Sequence, residues 1–160
     1  MKTTKGEVKG KGLNIAIISS RFNEEITRNL IEGAKKLFLE KGVKEKDIYL
    51  YLVPGAFEIP AVLEKILKKN SKLKYDGILT IGCVTKGETA HFEYISGAVS
   101  NSINSISANH GIPVGFCVLT TYNDEQAEAR SRINPCNAET NKGFESADAV
   151  LEMIDLMKKI

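Results

Sequence analysis

Four short apolar runs, each followed by a stretch of helical periodicity, predict an α/β protein: a three-layer αβα sandwich around a four-stranded parallel sheet. The runs "LNIAIIS" (13–19), "IYLYLVP" (48–54), "YDGILTIGCV" (75–84) and "IPVGFCVLTT" (112–121) are apolar on both strand faces, as buried parallel strands are. The intervals between them are long enough for crossover helices, whose right-handed sense nearly fixes the handedness of the fold.

A polar, glycine-rich opening, residues 1–12, reads as an arm before the first strand. Between Glu24 and Lys41, Ile26, Leu30, Ala34, Leu37 and Phe38 recur at helical spacing, and Gly42 follows as a stop. After the second strand, Ile59, Val62, Leu63, Ile66 and Leu67 mark a second helix, with Pro60 in its first turn and Asn70 and Ser71 closing it. Phe92, Ile95, Val99, Ile103 and Ile106 give a third, ending near "NHG" at 109–111. A short helix from Glu125 to Arg130, the loop "INPCNAET" and a last helix from about Lys142 to Lys158 complete the chain.

A length of 160 residues with 42% hydrophobic content suits a single domain over 1–160, able to bury roughly two-thirds of its unfolded surface. The 22 basic and 20 acidic residues leave a net charge of +2, so no global field points to nucleic acid or an anionic membrane. Lys65, Lys68 and Lys69 read as a solvated helix face. No apolar run approaches the ~20 residues of a membrane span, and "MKTTKGEVKGKG" lacks the apolar core of a secretory signal, so a cytoplasmic location is expected. Cysteines at 83, 117 and 136 make an odd count without CxxC spacing, which fits reduced thiols better than disulfides or zinc; no metal is expected.

In open parallel sheets, ligands gather beyond the carboxyl ends of the strands. Here those ends lead into "SSRFNEE" (19–25), "VPGAFEIP" (53–60), "GCVTKGETAH" (82–91) and "TTYNDEQAEAR" (120–130). Phe22 reads first as a core aromatic, with Asn23 as N-cap of the next helix; an aromatic there can also wall a pocket for a flat heterocycle. Gly55 suits an unusual backbone angle or a close ligand approach, and Glu58 a helix-start charge. "KGETAH" puts Gly87 and the amides after it at a helix start, where a phosphate can sit. Thr89 suits a cap and a phosphate contact equally well. His91, one of two histidines, is open to a structural or a proton-transferring role, whereas His110 reads as a cap or surface residue. Arg130 and Lys142 read first as exposed charges near helix ends and otherwise as phosphate ligands, arginine as a fork. Cys83 and Cys117 read as small core residues.

Together "SRFN", "VPGAFEIP", "GCVTKGETAHFEYI", "PVGFCVLTT", "EQA" and "NKGFESADAVLEM", in this order from about residue 10 to 158, resemble the 6,7-dimethyl-8-ribityllumazine synthases. The resemblance implies a flavodoxin-like fold and a transferase at the penultimate step of riboflavin biosynthesis. Such enzymes condense 5-amino-6-(D-ribitylamino)uracil with 3,4-dihydroxy-2-butanone 4-phosphate, releasing phosphate and water, with no metal or organic cofactor. By this resemblance Phe22 stacks on the pyrimidine, Ala56, Phe57 and Glu58 bind the ribitylamino substrate, Cys83, Val84 and Thr85 line the pyrimidine site largely through backbone groups, and Phe116 covers the heterocycle. Glu88, Thr89 and Arg130 receive the butanone phosphate, His91 transfers protons, and Lys142 adds to the site. The resemblance further implies a homopentamer, alone or in a higher assembly, whose neighbouring subunit supplies Phe116, Arg130 and Lys142, with riboflavin synthase as a partner.

Two stretches depart from the family pattern. "RSRINPCNAETNKG" is longer than the usual "RAGxxxGNKG" link, which favours a free pentamer or decamer over a shell, and Lys86 stands where arginine often precedes the glycine. A non-catalytic flavin or lumazine binder on the same fold is the alternative reading. A flavodoxin-like electron carrier would need a Ser/Thr/Gly-rich phosphate loop after the first strand, which "SSRFNEE" does not supply.

Overall fold

A computed structural model describes residues 1–68 and 73–160; the expected helix end at Asn70 and Ser71, and Lys69 of the lysine face, lie outside them. The strands β1 (Ile15–Ser20), β2 (Ile48–Val53), β3 (Gly77–Thr85) and β4 (Val114–Thr121) form one parallel sheet in the order β2-β1-β3-β4. The helices α1 (Glu24–Glu40), α4 (Asp124–Ala129) and α5 (Lys142–Lys159) cover one face. The helices α2 (Ile59–Leu67) and α3 (His91–His110) cover the other. Chain order reverses between β1 and β3, so a crevice is expected at their carboxyl ends.

The apolar runs become strands because two helix layers leave no face of the central strands to water; every residue of β1 is buried. Ile15 and Ile17 pack with Leu30, Leu37 and Phe38 of α1, while Ala16 and Ile18 pack with Ile59 and Leu63 of α2. Each such large side chain contributes about 1.5–3 kcal/mol on burial. Edge strand β2 is less covered, with Leu50 and Leu52 exposed.

Helix ends follow their chemistry with two exceptions. Past α1, Gly42 takes φ 95°, and the amides of Gly42 and Val43 return to the carbonyls of Leu39 and Phe38 (3.1 and 2.9 Å), as the glycine stop anticipates. Asn23, in contrast, does not cap α1: it sits in the left-handed region (φ 56°, ψ 50°) and sends its side chain elsewhere. Gly87 is not at a helix start either, because α3 begins only at His91 and residues 86–90 form an irregular approach to it.

Close contact between α1 and α5 depends on glycine: a Cβ on Gly143 would stand 2.0 Å from the Leu30 carbonyl oxygen. The segment between α4 and α5 leaves and returns through one gate, a Ser131–Asn141 bridge reinforced by Arg132 N–H to the Thr140 carbonyl (3.0 Å) and Lys142 N–H to the Arg130 carbonyl (2.8 Å). Lys36 of α1 fastens its tip by donating to the Cys136 carbonyl (2.8 Å). Residues 5–10 of the opening lie along their own chain, where the Glu7 amide donates to Asp155 (2.7 Å) and the Gly10 amide to the Lys41 carbonyl (2.9 Å).

Candidate active site

Beyond Ser20 the chain leaves β3 and follows β2: the amides of Arg21 and Phe22 donate to the carbonyls of Val53 and Pro54 (2.8 and 3.2 Å). Pairing of β1 with β3 therefore ends at Ser19 and Ile81, whereas β3 stays paired with β4 as far as Thr85 and Thr121. Residues of a strand alternate in the neighbour they address. Because Lys86 N–H donates to the Thr121 carbonyl (2.8 Å), Cys83 and Thr85 turn their backbone groups away from β4, toward the gap that β1 has left. The Asn23 amide donates to the Cys83 carbonyl across that gap (3.0 Å).

A cavity of about 680 Å³ occupies the gap, within the size range of small-molecule sites. Phe22, Phe57, Ala56 and Glu58 line it from the ends of β1 and β2; Cys83, Val84 and Thr85 line it from β3; Gly87, Thr89 and His91 close it from the approach to α3. Phe22 is 69% exposed and Phe57 58%, so the core reading of Phe22 gives way to a pocket wall. The Gly55 amide donates to Glu58 Oε2 (2.8 Å), which orients the carboxylate beside the cavity. Gly55 is extended (φ −136°), so its role is not an unusual angle; a Cβ there would stand 3.1 Å from that carboxylate oxygen. His91 is exposed as the first residue of α3, and its amide donates to Thr89 Oγ1 (3.4 Å), a weak capping contact. The first-turn amides of an α-helix have no intrahelical partner, and together with the helix dipole they favour an anion at this corner.

A second cavity, about 300 Å³, lies against β4 and the start of α5, lined by Phe116, Arg130 and Lys142 among others. Phe116 is 45% exposed. Arg130 donates from Nη1 to the Gln126 carbonyl (3.0 Å), and Lys142 pairs with Glu145. Glu88 lines neither cavity, although its neighbours Gly87 and Thr89 both line the first.

Residues 12–158 match the family model of 6,7-dimethyl-8-ribityllumazine synthase. A relative of that name from Campylobacter jejuni is 46% identical over 146 residues, covering 91% of this chain and 90% of its own. The Nautilia profundicola protein of the same name is 45% identical with full coverage of both chains. That from Pyrococcus furiosus is 40% identical over all of this chain and 95% of its own. The chain belongs to the 6,7-dimethyl-8-ribityllumazine synthase family. Its class, a transferase, and its function in riboflavin biosynthesis follow from membership, and the parallel αβα sandwich agrees with both.

For a lumazine synthase, the cavity's lining divides the expected residues sharply. Phe22, Ala56, Phe57, Glu58, Cys83, Val84, Thr85, Thr89 and His91 share the first cavity. Phe116, Arg130 and Lys142 share the second. Phe92 and Ile95 also line the first cavity, though their periodicity marks them as core. The first turns of α3 overhang the end of the sheet, so its inward face there borders the cavity; their position directly after His91 was the available signal. Asn23 was legible only as a cap. Lys86 is held by Glu93 (3.4 Å) and lies 5.8 Å from the centre of the Tyr122 ring, which ties the approach to α3 to the end of β4. Burial pushes the Cys83 thiol up from its ordinary value and the Cys117 thiol up to about 12, so neither offers a thiolate nucleophile near neutrality. Among the described residues no group of three or more His, Cys, Asp or Glu converges on a metal position, and no helix is long and apolar enough to cross a membrane.

Proposed function

We propose that the first cavity condenses 5-amino-6-(D-ribitylamino)uracil with 3,4-dihydroxy-2-butanone 4-phosphate to give 6,7-dimethyl-8-ribityllumazine, phosphate and water. One observation carries this assignment of roles: an exposed aromatic wall, an open strand edge and an imidazole at a helix start surround the same space. The pyrimidine stacks on Phe22 and is read by backbone groups of residues 83–85, while Ala56, Phe57 and Glu58 hold the ribityl chain. Glu88 and Thr89 place the phosphate at the start of α3.

The substrate's 5-amino group attacks the ketone and loses water to form an imine. A proton must then leave the adjacent carbon as phosphate departs, and His91 is the base; transfers of this kind contribute ~10²–10⁴-fold. The second amine closes the ring with loss of a further water. Holding two substrates in register supplies much of the rest, since orientation alone removes about 7–11 kcal/mol from a bimolecular barrier.

Phe116, Arg130 and Lys142 act from the neighbouring subunit of a homopentamer, a reading supported by their separate cavity. The long link after Arg130 favours a free pentamer or decamer over a shell. The location we assign is cytoplasmic, with riboflavin synthase as the partner that takes the product. Mixing the purified protein with both substrates and following lumazine absorbance tests the reading. Product formation is expected; binding of lumazine or flavin without turnover would overturn catalysis in favour of a binder.

A further inference from the structure

Asn23 is, among the described residues, the one non-glycine residue with a positive φ. Side chains seldom occupy that region, and asparagine and aspartate tolerate it best. Its amide is not spent on the helix that follows; it donates to the Cys83 carbonyl, 60 positions away in the chain. That carbonyl lies past the last β1–β3 pair, Ser19 with Ile81, at the point where β1 has already turned to β2. The side chain thus supplies the donor that a continuing β1 strand would have supplied. Phe22, the neighbouring residue, walls one side of the cavity, and the β3 edge bearing Cys83 and Thr85 forms another.

We propose that Asn23 is a positioning residue for the pyrimidine substrate: its left-handed backbone aims Phe22, and its amide fixes the β3 edge relative to that ring. The spacing and tilt between stacking wall and reading edge are then set by a single residue. The bond takes one of the two lone pairs of the Cys83 carbonyl, so it fixes where that edge sits while Cys83 and Thr85 keep backbone groups facing the gap. The inference rests on the site reading given above.

Two variants test it. Asn23→Gly keeps the backbone conformation and removes the amide; Asn23→Asp keeps the conformation and turns a carboxylate toward a carbonyl. Both are expected to melt within about 5 °C of the parent. The KM for 5-amino-6-(D-ribitylamino)uracil should rise ~10-fold or more, further for Asp than for Gly, while kcat falls less than ~3-fold and the KM for the butanone phosphate changes less than ~2-fold. An unchanged pyrimidine KM in both variants overturns the proposal. So does an equal rise in both KM values with a large drop in Tm, the signature of general loosening. If the parent itself forms no lumazine, the functional reading fails instead, and equilibrium binding of the pyrimidine to parent and variants still decides the role of Asn23.

Discussion

His91 opens α3 at the edge of the cavity, with its amide against Thr89 and its ring free to meet a ligand. A structural imidazole would be buried or tied into the helix packing, as His110 is tied to Glu64 of α2 (3.1 Å). Replacing His91 with Ala should therefore leave folding intact and lower kcat by ~10²–10⁴-fold, with modest change in either KM. Steady-state kinetics read this directly, and near-parent turnover would remove His91 from the chemistry. At this scale the sequence was informative about which residues gather: Gly87, Thr89 and His91 of "KGETAH" line one cavity. It offered Asn23 only as a cap for α1, which the structure does not bear out, because a side chain's partner across the fold leaves no mark in local spacing. Phe22 misled in isolation, since aromatic residues are usually buried and only its place at a strand mouth argued otherwise.

The strands and helices were legible nearly to the residue, because apolar runs and helical periodicity record which faces the layers cover. The approach to α3 was not, since residues 86–90 carry neither period and their path depends on β4 and Tyr122. Nor does periodicity reveal Asn141, which is fully buried between α1 and α5. Its Oδ1 accepts from the Phe144 amide (3.1 Å), and its Nδ2 donates to the carbonyls of Asn29 and Arg132 (3.0 and 3.1 Å). One side chain therefore caps α5, satisfies the adjoining helix and seals the base of the 131–141 segment. Asn141→Ala removes a cap and two further hydrogen bonds to part-buried carbonyls, a loss of about 2–4 kcal/mol. Thermal unfolding should show a Tm lower by roughly 5–15 °C. Because Asn141 adjoins Lys142 and bridges to Ser131, beside Arg130, activity below the new Tm should fall as well.

For the whole molecule, the division of expected residues between two cavities makes a prediction about assembly. Subunits carrying His91→Ala and subunits carrying Arg130→Ala should each be nearly inactive. Unfolded together in equal amounts and reassembled, they should regain about a quarter of parent activity, because random pairing brings two intact halves together at that fraction of interfaces. No recovery would place both residues in one subunit's site. Acid should loosen the opening segment first. The Lys159 hydrogen bond and the Glu7 amide hold the Asp155 carboxyl below its ordinary 3.8. A lowered folded-state value favours the docked form above the unfolded value and is lost as pH falls through the folded one, so the effect should fade below about pH 4. Hydrogen-exchange protection at Glu7 should drop in that range, and Asp155→Asn should reduce the pH dependence to the part carried by the Glu7 carboxyl, which Lys9 and Lys159 also hold low.

The gate formed by Ser131 and Asn141 also bears on how such a chain changes over generations. A segment that exits and re-enters through one bridge is anchored at its base independently of the residues at its outermost turn. Arg130 and Lys142 stand immediately outside the gate, so changes in the segment that keep Asn137, whose carbonyl accepts from the Asn141 amide (2.9 Å), should leave their placement unchanged. The exposed part of the tip around Ile133 is thus where such a chain can vary, or where an engineer can graft a peptide for display, provided the Lys36 bond to the Cys136 carbonyl is kept.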